Sequence, residues 1–285
     1  MTAPATLRAP GRTARRTRPP LTVVICAGIT LFFVVAALVP GVVATHSPWH
    51  TDLDNVLDAP SLTHLLGTDN AGRDLFSRIV WGTRESLSIG VGAIVVALAI
   101  ALVLGFAAGI GPRPVAAPVD RVLEILLAFP TLLLALLLVT LLGPSAQSLV
   151  IAVGVGTAPG YARLIRAQAL GVKNSGYVES ARAMGHTRRT IFIQHIFPNA
   201  LRPLLALFTL GIGQCVVWAS GLSFLGLGVA PPAAEWGVLL NEGKSEILSA
   251  WWLEVFPGIA IVLVALGVTQ LGRYLQDRAE GSAAR

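Results

Sequence analysis

Long apolar runs separated by short polar segments dominate the chain. Each run holds about 20 residues, enough for a tilted helix to cross the roughly 30 Å hydrocarbon layer of a bilayer. Strands of a membrane barrel would alternate polar with apolar residues, and the run at 91–110 does not. The pattern predicts an all-α polytopic membrane protein with six transmembrane helices, in the runs 21–43, 86–110, 122–142, 148–165, 201–224 and 252–272.

Two of these runs allow a second interpretation. The run at 21–43 is longer than the apolar core of a signal peptide usually is, which favours an uncleaved span. In the run at 148–165, Gly154 and Pro159 predict a kink or a break. Broken helices also occur in secondary carriers, but those usually hold ionisable groups at the membrane midplane. No predicted span does, so a secondary carrier is the less favoured alternative.

Composition agrees with a protein embedded in lipid. Apolar residues make up 54% and charged residues 13% of the 285 positions, and the mean hydropathy is +0.72. These values exclude a soluble globular domain, whose surface needs more charge. The net charge of +6 comes from basic residues scattered over short loops, without the basic and aromatic platform of a nucleic-acid-binding protein. We expect membrane lipid around the chain and no nucleic-acid partner.

The basic residues predict the orientation. With the N-terminus inside, every Lys and Arg falls in a cytoplasmic segment except Arg73, Arg78, Arg84 and Lys244. Because cytoplasmic loops are enriched in these residues, both termini are predicted to be cytoplasmic. The resulting division is a disordered cytoplasmic tail at 1–20, a first span at 21–43, an extracytoplasmic loop at 44–85, a transmembrane core at 86–272 with a long cytoplasmic loop at 166–200, and a cytoplasmic tail at 273–285.

The long cytoplasmic loop carries the most informative pattern. Asn174 or Ser175 can cap a short helix, and Gly185 can end it. Thr187 can cap a second helix that ends before Pro198. Helices this short are unstable alone, so they need a surface to dock on, either a partner protein or the lipid headgroups. The residues expected to form the apolar docking stripe are Tyr177, Val178, Ala181 and Met184.

Two other glycine-containing segments indicate helix packing and a loop, and neither indicates a nucleotide-binding site. Gly105 and Gly109 fall on one face of a helix, where they allow a neighbouring helix to come close. The segment 237–245 has one residue more between its glycines than a phosphate-binding loop allows. We expect no catalytic residue and no cofactor in this chain.

The first polar loop contains a spacing that suits a metal ion. His46, His50 and Asp52 carry side chains that ligate metals. Histidine clusters in polar loops are usually not metal sites, so none is predicted here. In the same loop, LGTDNAGRD at 66–74 is expected to form a tight turn containing glycine.

The stretch YVESARAMGHTRRTIFIQHIFPNA at 177–200 resembles the EAA loop of permease subunits of bacterial ABC importers. The matching positions are Glu179, Ser180, Ala181, Gly185 and Pro198, with Ser180 in place of the middle alanine. The resemblance extends from about 64 to 277 and is to the second permease of dipeptide, oligopeptide and nickel importers. It is carried by HLLGTDNAGRDLFSRIVWGTRESL, DRVLEILLAFPTLLLAL, PGYARLIRAQ and GLSFLGLGVAPPAAEWG, in which Glu235 stands where serine is usual.

The resemblance implies a transport subunit of the bacterial cytoplasmic membrane, not an enzyme. It implies that the loop holds a coupling helix seated on an ATPase, through Tyr177, Glu179, Ser180, Ala181, Arg182, Gly185 and Pro198. The implied partners are a homologous second permease, one or two cytoplasmic ABC ATPase subunits that bind ATP and Mg²⁺, and a substrate-binding protein received by the acidic extracytoplasmic loops. The implied cargo is a di- or oligopeptide, with nickel or a metal chelate as the alternative.

Overall fold

The computed structural model describes residues 20–201 and 204–283, and within them the only pairing of extended chain is one isolated bridge between Thr68 and Asp74. This confirms the all-α prediction. The α-helices are, in chain order, α1 (Leu21–Leu38), α2 (Pro40–Val43), α3 (Leu75–Ile110), α4 (Arg113–Ala128), α5 (Thr131–Leu142), α6 (Ala146–Lys173), α7 (Gly176–Ala183), α8 (Arg188–Ile191), α9 (Phe197–Leu201), α10 (Leu204–Leu222), α11 (Trp236–Gly243) and α12 (Trp252–Ala283).

The predicted third span is broken. Five helices, α1, α3, α6, α10 and α12, contain segments long and apolar enough to cross a membrane. α4 and α5 are bent by 95° and bring the candidate crossings to the predicted six if they count as one span. The break lies at Phe129, whose backbone is extended, because the residue before a proline disfavours the helical conformation. The single helix expected over 122–142 is therefore wrong.

The predicted fourth span is one uninterrupted helix. α6 runs through Pro159 and ends at Lys173, so the break considered from the sequence is absent. Gly154 lies against α3, where an added Cβ would meet Val96 at 2.8 Å. The glycine therefore serves the close approach of two helices, and the packing along α3 supports α6 through its proline.

The contact between α3 and α6 forms the centre of the bundle. The two helices run parallel, since Gly92 lies beside Val150 and Gly109 lies beside Ala169. A Cβ added to Gly105 would meet the backbone oxygen of Ala162 at 2.8 Å. Gly105 and Gly109 thus lie on the face of α3 that contacts α6 of the same chain. Small buried residues fill this contact, including Ala93, Ala97, Ala101, Ala152 and Ala162.

Several boundaries differ from the predicted division. The loop expected at 44–85 ends at Asp74, because the Asp74 carboxylate accepts a hydrogen bond from the Ser77 backbone N–H at 2.8 Å and caps α3. The tail expected at 273–285 is helical up to Ala283, as a continuation of α12. The disordered tail expected at 1–20 lies outside the described residues, apart from Pro20.

Candidate functional site

The predicted coupling loop contains a short helix that ends at a glycine. Ser175 holds the N-cap position of α7 without a side-chain cap. Gly185 has a φ of 81°, a left-handed conformation that glycine adopts readily. Its N–H bonds to the Arg182 oxygen at 3.0 Å, and the His186 N–H bonds to the Ala181 oxygen at 3.1 Å. This pair of bonds is a Schellman motif, so Gly185 ends α7 and turns the chain toward α8.

The inner side of α7 packs on its own chain. Val178 and Ala181 are buried in a small apolar cluster together with Ile191 and Ile196. Phe106, close to the end of α3, packs against the same cluster. The inner side of α7 and the end of α3 therefore border the same apolar cluster.

The outer side of α7 is open to solvent. Its exposed residues include Tyr177, Glu179, Ser180 and Arg182, and Met184 at the C-cap is exposed as well. Tyr177 and Met184 are 47% and 69% exposed. The whole apolar stripe was expected to face a partner, and this is wrong for Val178 and Ala181, because they are buried in the apolar cluster of the loop. A narrower surface of mixed polarity remains free for contact.

The second helix of the loop is longer than predicted. Thr187 caps α8 as expected, by accepting a hydrogen bond from the Thr190 backbone N–H at 3.2 Å. The helix does not end before Pro198, however, because a π turn at Phe192–Ile196 leads directly into α9. Pro198 lies exposed just after this π turn, in a helix that continues to Leu201.

At the other end of α3, residues 44–74 and 228–251 pack together in a region that we call the cap. The predicted glycine turn is present, since Gly67 and Gly72 have φ values of 82° and 70°. The Trp252 ring N–H donates a hydrogen bond to the Thr68 oxygen at 3.2 Å. This bond ties the turn to the start of α12.

A buried charge cluster joins the two halves of the cap. Arg78 is fully buried and pairs with Asp69 and with Glu242 of α11, at N–O distances of 2.5 and 2.7 Å. Arg73 pairs with Asp69 at 2.7 Å, and Arg78 also donates to the Ala233 oxygen at 3.1 Å. Asp69 and Glu242 belong to the acidic extracytoplasmic loops that were expected to receive a binding protein, but they serve internal ion pairs. The one sequence signal for this role is the four-residue spacing of Asp69 and Arg73.

Glu235 is internal too. Its carboxylate, 1% exposed, accepts hydrogen bonds from the backbone N–H groups of Gly237 and Val238 at 3.0 and 3.1 Å and caps α11. Burial raises the pKa of Glu235, while these hydrogen bonds and that of Ser86 oppose the rise. Glu235 thus fills a capping position, a role that serine also fills.

Two histidines of the cap meet a buried carboxylate. The Nδ1 atom of His64 lies 3.0 Å from Asp74, and the Nδ1 atom of His46 lies 3.8 Å from it. His50 and Asp52, the other residues of the spacing considered from the sequence, do not belong to this group. The Asp52 carboxylate accepts hydrogen bonds within its own turn instead. Sequence spacing missed His64 and Asp74 because the glycine turn brings them together.

A family model described as the binding-protein-dependent transport system inner membrane component matches residues 101–281. The match covers more than half of the chain and includes the predicted coupling loop. The chain belongs to the family of binding-protein-dependent transport system inner membrane components. It is accordingly a multi-pass protein of the bacterial inner membrane and a transport subunit.

Relatives of this inner membrane component are named as permeases of peptide transport systems. The dipeptide transport system permease protein DppC of Alkalihalophilus pseudofirmus is 39% identical over 87% of this chain and 82% of its own length. The glutathione transport system permease protein GsiD of Pectobacterium atrosepticum is 40% identical over 79% of this chain and 75% of its own. The probable D,D-dipeptide transport system permease protein DdpC of Escherichia coli K12 is 37% identical over 90% of this chain and 86% of its own.

Solved transporters share the fold of this inner membrane component. A chain of an amino acid ABC transporter with histidines is 17% identical, with a TM-score of 0.59 over 70% of this chain and 94% of its own. A chain of the inward-facing methionine ABC transporter MetNI is 18% identical, with a TM-score of 0.57 over 69% of this chain and 94% of its own. At this level of identity the likeness establishes the fold alone.

Proposed function

We propose that the chain is the permease subunit of an ATP-driven importer that carries di- and oligopeptides across the cytoplasmic membrane. The observation that carries the proposal is the set of relatives named for dipeptide, glutathione and D,D-dipeptide transport, each at least 37% identical to this chain. Glutathione is itself a tripeptide, so all three names point to short peptides as the cargo.

The ATPase subunit docks on the outer side of α7. Exposed Tyr177 and Met184 offer apolar contact area, and Glu179 and Arg182 offer charges that orient a partner. ATP and Mg²⁺ bind to the ATPase subunits, whose closure displaces α7 and, through Phe106, α3. The permease then shifts between two arrangements that the ATPase biases.

A binding protein docks on the cap, and a homologous second permease completes the pathway. The cap exposes Leu62 and Leu248 almost entirely, and Trp251 by about half. Aromatic side chains are enriched in protein interfaces, so these residues suit contact with a protein partner. The acids buried in the cap are excluded from this surface, which leaves the exposed Asp54 and Asp58 to meet a basic partner.

Peptide uptake in cells tests the cargo and the coupling helix together. A strain lacking the gene would be complemented with the wild type, with Glu179→Arg or with Glu124→Arg, and supplied with labelled dipeptides, longer peptides or nickel. Glu179 lies on the outer side of α7, whereas Glu124 is an exposed acid of α4 outside the coupling loop. We expect Glu179→Arg to lower peptide uptake by at least about tenfold, because like charges placed across an interface cost several kcal/mol. Glu124→Arg should retain normal uptake.

The outcomes separate the two parts of the proposal. If the deleted strain lost nickel uptake and kept peptide uptake, the cargo would be nickel and not a peptide. Normal peptide uptake with Glu179→Arg would reject the outer side of α7 as the docking surface. The amount of each variant in the membrane is measured by immunoblot, so that only variants inserted at the wild-type level are compared.

A further inference from the structure

Three side chains able to ligate a metal converge at the start of α3. Each of His46, His64 and Asp74 offers one ligand atom, and these atoms lie within 4.8 Å of one another. Asp74 is 3.0 Å from the His64 Nδ1 atom and 3.8 Å from the His46 Nδ1 atom. Zinc–ligand distances of about 2.0–2.2 Å place the ligand atoms of a tetrahedral site roughly 3.4 Å apart. To hold an ion, ligand atoms now up to 4.8 Å apart must close by at most about 1.4 Å.

Hydrogen bonds from the backbone hold the three residues in place. The His46 backbone N–H donates to the Ser77 hydroxyl at 2.9 Å, and the His64 backbone N–H donates to the Ser61 hydroxyl at 3.1 Å. Asp74 is held in place as the buried N-cap residue of α3. Because the group is arranged before an ion arrives, binding costs less ordering of the protein.

Two imidazoles lie beside one carboxylate, His64 bonded to it directly and His46 through the hydroxyl of Thr45. His64 lies within hydrogen-bonding distance of Asp74, and the centroid of the His46 ring lies 5.0 Å from the centroid of the His64 ring. The Thr45 hydroxyl lies between His46 and Asp74, 3.0 Å from the His46 Nδ1 atom and 3.5 Å from Asp74. The hydroxyl is neutral and its residue is exposed, so it can rotate away from an arriving ion.

The group is accessible from solvent on one side and closed on the other. The His46 side chain is 44% exposed, whereas the Asp74 side chain is 1% exposed. A surface cleft of about 340 Å³ borders His46 and Thr45. His46 thus meets solvent at the cleft and lies beside a carboxylate shielded from bulk water, where the attraction for a cation is strong.

We propose that His46, His64 and Asp74 form a binding site for a divalent transition-metal ion, with Zn²⁺ the best match. Two imidazole nitrogens and one carboxylate oxygen are ligands that zinc accepts, and three protein ligands leave a fourth position for water. The ion would join His46 after α2, His64 before the glycine turn and Asp74 at the start of α3. The site does not depend on which cargo the chain transports or on where an ATPase docks.

Metal binding to the full chain tests the site. The purified chain in lipid nanodiscs is stripped with a chelator and titrated with Zn²⁺ in competition with a fluorescent zinc indicator. We expect one Zn²⁺ per chain in the wild type. His64→Gln or His46→Gln should weaken binding by more than about tenfold, because loss of a second-shell partner alone costs 10–100-fold. Asp74→Asn should also weaken binding while keeping an oxygen that caps α3.

Two control variants make the test specific. His50→Gln removes an exposed histidine of the same segment that lies outside the group. The double variant His186→Gln, His195→Gln removes a pair of histidines in the predicted coupling loop, whose stacked rings have centroids 6.1 Å apart. Both should bind one Zn²⁺ with wild-type affinity. Zn²⁺ should also raise the melting temperature of the wild type and leave that of His64→Gln unchanged.

The proposal is overturned by any of three results. These are no stoichiometric binding to the wild type, binding unaffected by His64→Gln and His46→Gln, or equal loss in the His50→Gln control. Size-exclusion profiles and helical circular dichroism identify any variant that fails to fold, and Asp74→Asn supplies a ligand change that leaves both histidines in place.

Discussion

At the residue scale, Arg78 shows how one buried charge organises the cap. Its guanidinium contacts Asp69 from the glycine turn and Glu242 from α11, two segments far apart in the sequence. Arg73 adds a second cation to the same pair of acids, 2.7 Å from Asp69 and 3.6 Å from Glu242. The charges offset one another inside the protein, so the cluster tolerates burial only while each member is present.

We expect Arg78→Leu to destabilise the chain by about 3–5 kcal/mol, because it leaves two buried carboxylates with one cation. The matched control is Arg121→Leu, since Arg121 pairs with Glu124 at the surface and its side chain is 77% exposed. Loss of such an exposed pair costs about 0–1 kcal/mol. Thermal unfolding of the purified proteins in nanodiscs measures both effects. Equal melting temperatures for the two variants would mean that the buried cluster contributes no stability.

At the scale of the elements, the elbow between α7 and α8 sets the position of the outer side of α7. The two helices are short, and neither is stable in isolation. They are held by the apolar cluster on α3 and by the two bonds of the Schellman motif at Gly185. An added Cβ at Gly185 would meet nothing within 4 Å, so the requirement for glycine comes from the backbone conformation alone.

We expect Gly185→Pro to abolish transport while the protein still inserts at the wild-type level. Proline fixes φ near about −65°, whereas Gly185 has a φ of 81° and donates its N–H to Arg182. The control is Gly176→Ala at the start of α7, where a Cβ also meets nothing within 4 Å and φ is not left-handed. Peptide uptake and immunoblots of membranes give the comparison. Normal uptake by Gly185→Pro would show that the elbow is not needed for coupling.

At the scale of the whole molecule, parallel packing of α3 and α6 connects the two ends of the protein. α3 begins in the cap region, where Asp74 is its N-cap residue. It ends beside the predicted coupling loop, where Phe106 packs on the cluster beneath α7. Helix association in lipid depends on close packing, because lipid tails are as apolar as the side chains. The small residues along α3 and α6 therefore carry much of the stability of the bundle.

We expect Gly105→Ala to destabilise the bundle by about 1–3 kcal/mol, the usual cost of overpacking a tight contact. Its Cβ would lie 2.8 Å from the backbone oxygen of Ala162, which can move only with the helix. The control is Gly160→Ala in α6, whose Cβ meets nothing within 4 Å and which gains about 0.5–1 kcal/mol of helix preference. Thermal unfolding in nanodiscs should move the two variants in opposite directions. A shift of the same sign and size in both would place the main helix contact elsewhere.

The sequence by itself determined the class of the protein and the positions of a turn and of a helix end. Apolar runs of about 20 residues can satisfy their backbone in lipid only as helices, so the all-α membrane fold followed from hydropathy alone. The glycine turn and the stop at Gly185 were also predictable, because a left-handed backbone favours glycine. The family followed from ordered motifs spread along the chain.

Only the tertiary structure decided which side of each segment is free. The burial of Val178, the ion pairs of Asp69 with Arg78 and the meeting of His46 with Asp74 join residues from separate elements. Hydrophobic periodicity reports the pattern within one segment and not the identity of its neighbour. For the same reason, the unbroken passage of α6 through Pro159 was decided by packing between helices, which local propensity does not contain.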